Sequence, residues 1–94
     1  MIEIELTAPN RATISGRFDA SQVEKANEIF AQLEGDSVID MEGLRYISSA
    51  GISALLTVYK RLDAQGHGVR IANAAGHVRN VFEYAGLEQL FPMD

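Results

Sequence analysis

The residues best placed to do chemistry lie in one run, Val38 to Ile52, which reads VIDMEGLRYISSAGI. It holds a carboxylate at Asp40 and adjacent hydroxyls at Ser48 and Ser49, followed by the small residues Ala50 and Gly51. A serine that opens a helix accepts hydrogen bonds from backbone N–H groups as an N-cap. The same place suits a phosphoryl group, because free N–H groups and the helix dipole favour an anion there. A phosphoryl group on Ser49 would add close to two negative charges beside an acidic loop. Such a site is a ready switch, compatible with the fold and repulsive to a partner docked on it. Glycine in a first turn costs about 1 kcal/mol relative to alanine. Ala50 and Gly51 therefore read as leaving the backbone open to a partner or to phosphate.

Other chemistries find little support. The chain has no cysteine, which removes thiolate nucleophiles, thiolate metal sites and disulfides together. His67 and His77 are expected in or beside loops at unlike positions, with no further ligands to complete a metal site. No phosphate-cradling glycine loop, dinucleotide-binding turn or Gly-x-Ser-x-Gly elbow occurs. Ser49 as an enzyme nucleophile would need a base from His67 or His77. His67 should sit at the far end of the helix that Ser49 opens.

With 94 residues, one domain spanning 1–94 is the expectation, and hydrophobic residues at 47% are ordinary for a globular core. Thirteen acidic against eight basic residues give a formal charge of −5. Nucleic-acid binding runs on lysine and arginine, so an acidic chain with scattered basic residues points to no nucleic-acid partner. The N-terminus lacks a basic segment followed by an apolar one, unlike a signal peptide. The charge-free stretch over residues 47–59 is too short to span a bilayer. A soluble, cytoplasmic protein without direct membrane insertion is expected.

The positioning elements follow from periodicity. Residues 2–6 alternate apolar and acidic, and residues 11–15 alternate again after a turn at 8–10, which reads as a β-hairpin. Val23, Ala26, Phe30 and Leu33 mark a first helix over about Ser21–Glu34, capped by Asp19 or Ser21 and ended by Gly35. Residues 37–41 form a buried strand ending near Asp40, and 43–47 read as a connection. A second helix runs from Ser49 to about Gln65, with Ile52, Leu55, Leu56, Tyr59 and Leu62 as its apolar stripe. The Gly66-His67-Gly68 break precedes a strand over 69–72. Val78, Val81, Phe82 and Ala85 mark a third helix closed by Gly86. Leu87, Leu90 and Phe91 should fold back on the core, with room for a final short strand. Right-handed β-α-β crossovers then put the helices mainly on one face of a small mixed sheet, an α/β fold.

The whole chain resembles STAS domains, the small fold of bacterial anti-sigma factor antagonists and sulphate-transporter tails. The family pattern of a hydrophobic strand, Asp-Leu, an apolar loop and Asp-Ser-Ser-Gly-Leu is similar to VIDM, LRYI and SSAGI from Val38 to Ile52. The family's Gly-x-Leu-Asp resembles Gly16 to Asp19, and its closing motifs resemble Val81-Phe82, Gly86-Leu87 and Leu90-Phe91. The resemblance implies Ser49 as phosphoacceptor. Ser48 is the alternative, since it stands where the family often has aspartate, and Ala50 replaces the next serine. Asp19, Asp40, Arg45, Ser48, Ser49 and Gly51 are the implied partner-binding residues.

The resemblance further implies an anti-sigma factor antagonist in a partner-switching system. Its partner would be an anti-sigma factor serine kinase with a histidine-kinase-like ATPase fold. Phosphorylation of Ser49 would release that kinase, and a metal-dependent serine phosphatase would restore binding. The chain would be a substrate and binding module, needing no catalytic residue, metal or cofactor of its own. The alternative is a non-switching STAS subunit of an ABC lipid transporter complex.

Overall fold

In the computed structural model, which describes residues 2–93, the N-terminal alternation forms strand β1 (Ile2–Ala8). It turns at Pro9-Asn10 and pairs antiparallel with β2 (Arg11–Phe18). A 3-10 turn at Ala20–Gln22 leads into α1 (Val23–Phe30). Strand β3 (Ser37–Ile47), α2 (Ser49–Ala64), β4 (Val69–Ala72) and α3 (Gly76–Tyr84) follow. The sheet order is β1-β2-β3-β4, with β2–β3 and β3–β4 parallel.

Burial alternates along the strands so that one sheet face forms the core: Ile4, Ala12, Ile14, Phe18, Ile39, Met41, Val69 and Ile71 point into it. The helices share that face. Phe18 meets Phe30 of α1 edge-on at 6.3 Å between ring centroids. Phe91 of the tail packs against Tyr59 of α2 at 5.5 Å and Phe82 of α3 at 5.7 Å. The expected fold-back of Leu87, Leu90 and Phe91 thus closes the core. The expected last strand shrinks to one bridge, Ile71 with Met93.

Two boundaries and one set of buried positions differ from the sequence reading. First, residues 43–47 are not a connection: they continue β3 to Ile47. Asp40–Ile47 of β3 lies against Thr13–Phe18 of β2, so two bulges absorb two extra residues. The buried positions Ser37, Ile39, Met41, Leu44 and Ile47 change spacing from two to three at those bulges, which disguises the strand. Gly43 is required there, since a Cβ on it would stand 2.6 Å from Ser15 Cβ.

Second, α1 ends at Phe30 rather than near Gly35. The chain tightens through i→i−3 bonds at Gln32 and Leu33, and Glu34 N–H goes to the Pro9 carbonyl. Arg61 of α2 donates to the Phe30 and Leu33 carbonyls at 2.9 and 3.0 Å, satisfying the last turn from outside. Third, the stripe of α2 buries Ala54 and Val58 beside Leu55 and Leu62, while on α3 Val81 and Ala85 face outward. Both α2 and α3 end as read, at glycine. In α2 the N–H groups of Gly66 and His67 return to the carbonyls of Asp63 and Leu62; in α3 those of Gly86 and Leu87 return to Glu83 and Phe82.

Candidate functional site

The carboxyl ends of the parallel strands β2 and β3 lie side by side, Phe18 opposite Ile47. Such strand ends are where open α/β sheets offer ligand and partner sites. Here the Ser48 N–H donates to the Phe18 carbonyl at 2.9 Å. Ser48 is extended (φ −90°, ψ 171°), and its hydroxyl accepts from the Gly51 N–H at 3.2 Å. Ser48 is therefore the N-cap of α2 and Ser49 its first helical residue. The Ser49 hydroxyl is exposed and makes no hydrogen bond among the described residues. The amides of Ser49 and Ala50 likewise find no backbone acceptor, as expected of a helix start.

Gly51 does something other than open the backbone. It is buried, and a Cβ on it would meet the Phe18 carbonyl and Ile47 Cγ1 at 3.0 Å and Phe18 Cγ at 3.1 Å. The missing side chain lets α2 start flush against the strand ends. Gly51 thus shapes the site from beneath, and its buried position gives it no surface of its own to offer a partner.

Asp19 follows Phe18 and so stands beside the α2 start. Its Oδ1 accepts from Ser21 N–H at 3.1 Å and Ser21 Oγ–H at 2.6 Å, capping the 3-10 turn. The Ser21 hydroxyl bond, outweighing desolvation, holds the Asp19 carboxyl below its ordinary value, so the group is a fixed negative charge at neutral pH.

Asp40, expected at a strand end near the serines, lies within β3. It pairs with Thr13, five residues down β2 from Phe18, or roughly 16 Å of strand from the site. Its Oδ2 takes a 2.8 Å bond from Arg11. Its Oδ1 accepts from Glu42 N–H at 3.0 Å and from Asn73 Nδ2 at 3.2 Å. Burial pushes the Asp40 carboxyl up, but the bonds from Glu42, Asn73 and Arg11 overcome it and leave the group below its ordinary value. The sites carried by Asp40 and by Asp19, Ser48 and Ser49 are thus two places, not one.

Both histidines already have partners. His67 Nδ1 lies 3.4 Å from Asp36 at the far end of α2, as the sequence implied. His77 is in the first turn of α3 and its Nε2 donates to the Arg45 carbonyl at 2.7 Å. Since a carbonyl only accepts, Nε2 carries the proton. Arg45 itself is exposed on the bulge of β3. Among the described residues no group of three or more His, Cys, Asp and Glu could hold a metal ion. No described helix is long and apolar enough to cross a membrane.

One pair escaped the sequence reading. Arg17 of β2 stands opposite Tyr46 of β3 and stacks its guanidinium over the ring at 4.3 Å. Residues 43–47 had to be recognised as strand before that pairing could be found.

Comparison with known proteins places this geometry. The family model for the STAS domain matches residues 3–94. A protein of Bordetella bronchiseptica named "Putative anti-sigma factor antagonist BtrV" is 36% identical over 87 residues, covering 87% of this chain and 74% of that protein. The unphosphorylated form of the anti-sigma factor antagonist SpoIIAA superposes with a TM-score of 0.79 at 21% identity, covering 100% of this chain and 88% of that one. Its phosphorylated form, from Bacillus, gives 0.72 at 19%, covering 100% and 91%. An anti-sigma factor antagonist from Mycobacterium paratuberculosis gives 0.69 at 22%, covering 99% and 83%.

Proposed function

The chain belongs to the STAS domain family, and from that premise we propose that it is an anti-sigma factor antagonist switched by phosphorylation of Ser49. The observation that carries the switch is the division of labour between the two serines. Ser48 Oγ is occupied by the Gly51 N–H, whereas Ser49 is exposed with a free hydroxyl at the first position of α2. The name of the Bordetella relative supports the antagonist reading. That SpoIIAA is known in phosphorylated and unphosphorylated forms supports a fold that tolerates the modification.

In this reading the unmodified chain binds an anti-sigma factor that is also a serine kinase of histidine-kinase-like ATPase fold. The kinase transfers the γ-phosphoryl group of ATP to Ser49 Oγ, with loss of the hydroxyl proton and release of ADP. A metal-dependent serine phosphatase returns the hydroxyl by hydrolysis. The chain is substrate and binding module rather than catalyst. His67 and His77, the only histidines, are committed to Asp36 and to the Arg45 carbonyl, which supports that assignment.

The energetics suffice for release. The phosphate joins the negative charge of Asp19 at the strand ends. Where the bound partner sets a carboxylate against this end, like charges juxtaposed across the interface cost several kcal/mol, and about 1.4 kcal/mol is a factor of ten in affinity. The test is a pull-down from source cells with tagged wild type, Ser49→Ala and Ser49→Asp, partners being identified by mass spectrometry. Recovery of a small ATPase-fold kinase with the Ala form and its loss with the Asp form is the expected result. Recovery of transporter subunits with all three forms would overturn the switch and favour a constitutive transporter subunit.

A further inference from the structure

The open face of the sheet, opposite the helices, is polar along most of its length. Near the strand ends it changes character. The Arg17 guanidinium carbon sits over the Tyr46 ring, 4.3 Å from its centre, and Tyr46 is 39% exposed, one of the few large apolar side chains at the surface. Arg45, next to Tyr46, is exposed and borders a small depression with Glu3, Ser15, Gly16 and Gly43. On a chain of net charge −5, neither Arg17 nor Arg45 is in salt-bridge contact with a carboxylate among the described residues, although the charge of Arg17 reaches Asp19 and Glu3 lines the depression beside Arg45, so both guanidinium forks are open to an outside carboxylate.

The backbone is built to present this group. The second β3 bulge inserts Arg45 between Leu44 and Tyr46, so the buried positions jump from Leu44 to Ile47 and both intervening side chains go to the surface. Bulges of this kind re-aim side chains beside functional sites. The bulge is also braced from behind: His77 of α3 donates to the Arg45 carbonyl at 2.7 Å. The stacked guanidinium has already lost part of its freedom, which reduces the ordering cost of binding. Arginine and tyrosine are the residue types enriched among binding hot spots, and the guanidinium fork matches a carboxylate bidentately.

We propose that Arg17, Arg45 and Tyr46 anchor the protein partner, and that the partner presents a carboxylate-bearing segment to them. The proposal rests on the antagonist reading and names the partner chemistry at that same end of the sheet. Arg45 and Tyr46 precede the serines on β3 and Arg17 comes from the neighbouring strand β2, so the anchor supplies affinity while Ser49 supplies the switch.

The test is calorimetric titration of the purified anti-sigma kinase onto the full chain carrying Ser49→Ala, alone and with further changes. Reversing both arginines, Arg17→Glu with Arg45→Glu, should weaken binding at least about 100-fold. The same reversal at Lys60, exposed on α2, should change it less than about threefold. Arg17→Lys keeps the charge but not the planar stack, and should fall between. Raising the salt should weaken the Ser49→Ala complex more than the complex of Arg17→Gln with Arg45→Gln. That neutral double variant also serves as the reading should the reversal unfold the chain, which circular dichroism reports. If the double reversal binds like Ser49→Ala, or Lys60→Glu weakens binding as much, the anchor is overturned while the switch stands. If Ser49→Ala itself binds no such kinase, the antagonist reading fails and the anchor with it.

Discussion

Two polar regions face solvent on β2 and β3, and they use their side chains in opposite ways. In the middle of the sheet Asp40 spends both oxygens inside the molecule, on Arg11, Glu42 N–H and Asn73. At the strand ends Ser49 and Arg45 spend theirs on nothing, and Arg17 spends its on a ring. Asp40 and Ser49 stand nine residues apart in one motif and read alike in a sequence. The difference is one of satisfaction: a mostly shielded polar group with every partner in place stabilises the fold, whereas an exposed group left unpaired is available to another molecule. Residues of one motif therefore divide into those that hold the scaffold and those that act on it.

The largest effect that sharpens this contrast is on stability. Asp40→Ala leaves Arg11 and Asn73 without their acceptor and should cost about 2 kcal/mol by urea denaturation at pH 7. Affinity of the Ser49→Ala form for the kinase should stay within about twofold, since Asp40 lies roughly 16 Å from the serines. A tenfold loss of affinity without loss of stability would return Asp40 to the interface. The pH dependence carries a sign. The folded Asp40 carboxyl is held below its ordinary value, so its contribution is present above about pH 4 and is lost as pH falls through the folded value. Asp40→Ala should flatten the acid limb of stability below about pH 4. Asp19 and Asp36, lowered chiefly by Ser21 Oγ–H and Gly68 N–H, keep part of that limb in the variant.

The same contrast explains what could be read from the residues. The hairpin, the three helices and the tail were legible because Ile2-Glu-Ile-Glu-Leu6 alternates cleanly and the helical stripes repeat. The end of β3 was not, because its bulges change the burial interval from two to three and a strand with that interval resembles a loop. With it went the distance between Asp40 and Ser49, and the pairing of Arg17 with Tyr46. The early end of α1 was hidden for another reason. Arg61, 31 residues away from Phe30, takes the last carbonyls, and no local signal announces a cap donated by a distant side chain. The serines were legible as a helix start. Which one caps is decided by the extended backbone of Ser48 and the position of the Gly51 N–H, which only the fold supplies.

That last division yields the smallest effects and the cleanest separation. Ser48→Ala removes the α2 N-cap and should cost about 1 kcal/mol in denaturation, while the chain remains a substrate for phosphoryl transfer. Ser49→Ala removes an exposed hydroxyl with no partner and should leave stability within about 0.5 kcal/mol, while abolishing incorporation of radiolabelled phosphate. The two measurements cross: one variant loses stability and keeps the acceptor, the other keeps stability and loses it. If Ser48→Ala instead abolished labelling at unchanged stability, the cap would have to open for the kinase and Ser48 would be the acceptor. The geometry argues against that outcome. Freeing Ser48 Oγ would take from the buried Gly51 N–H the acceptor it has in the fold, whereas Ser49 already presents its hydroxyl to solvent.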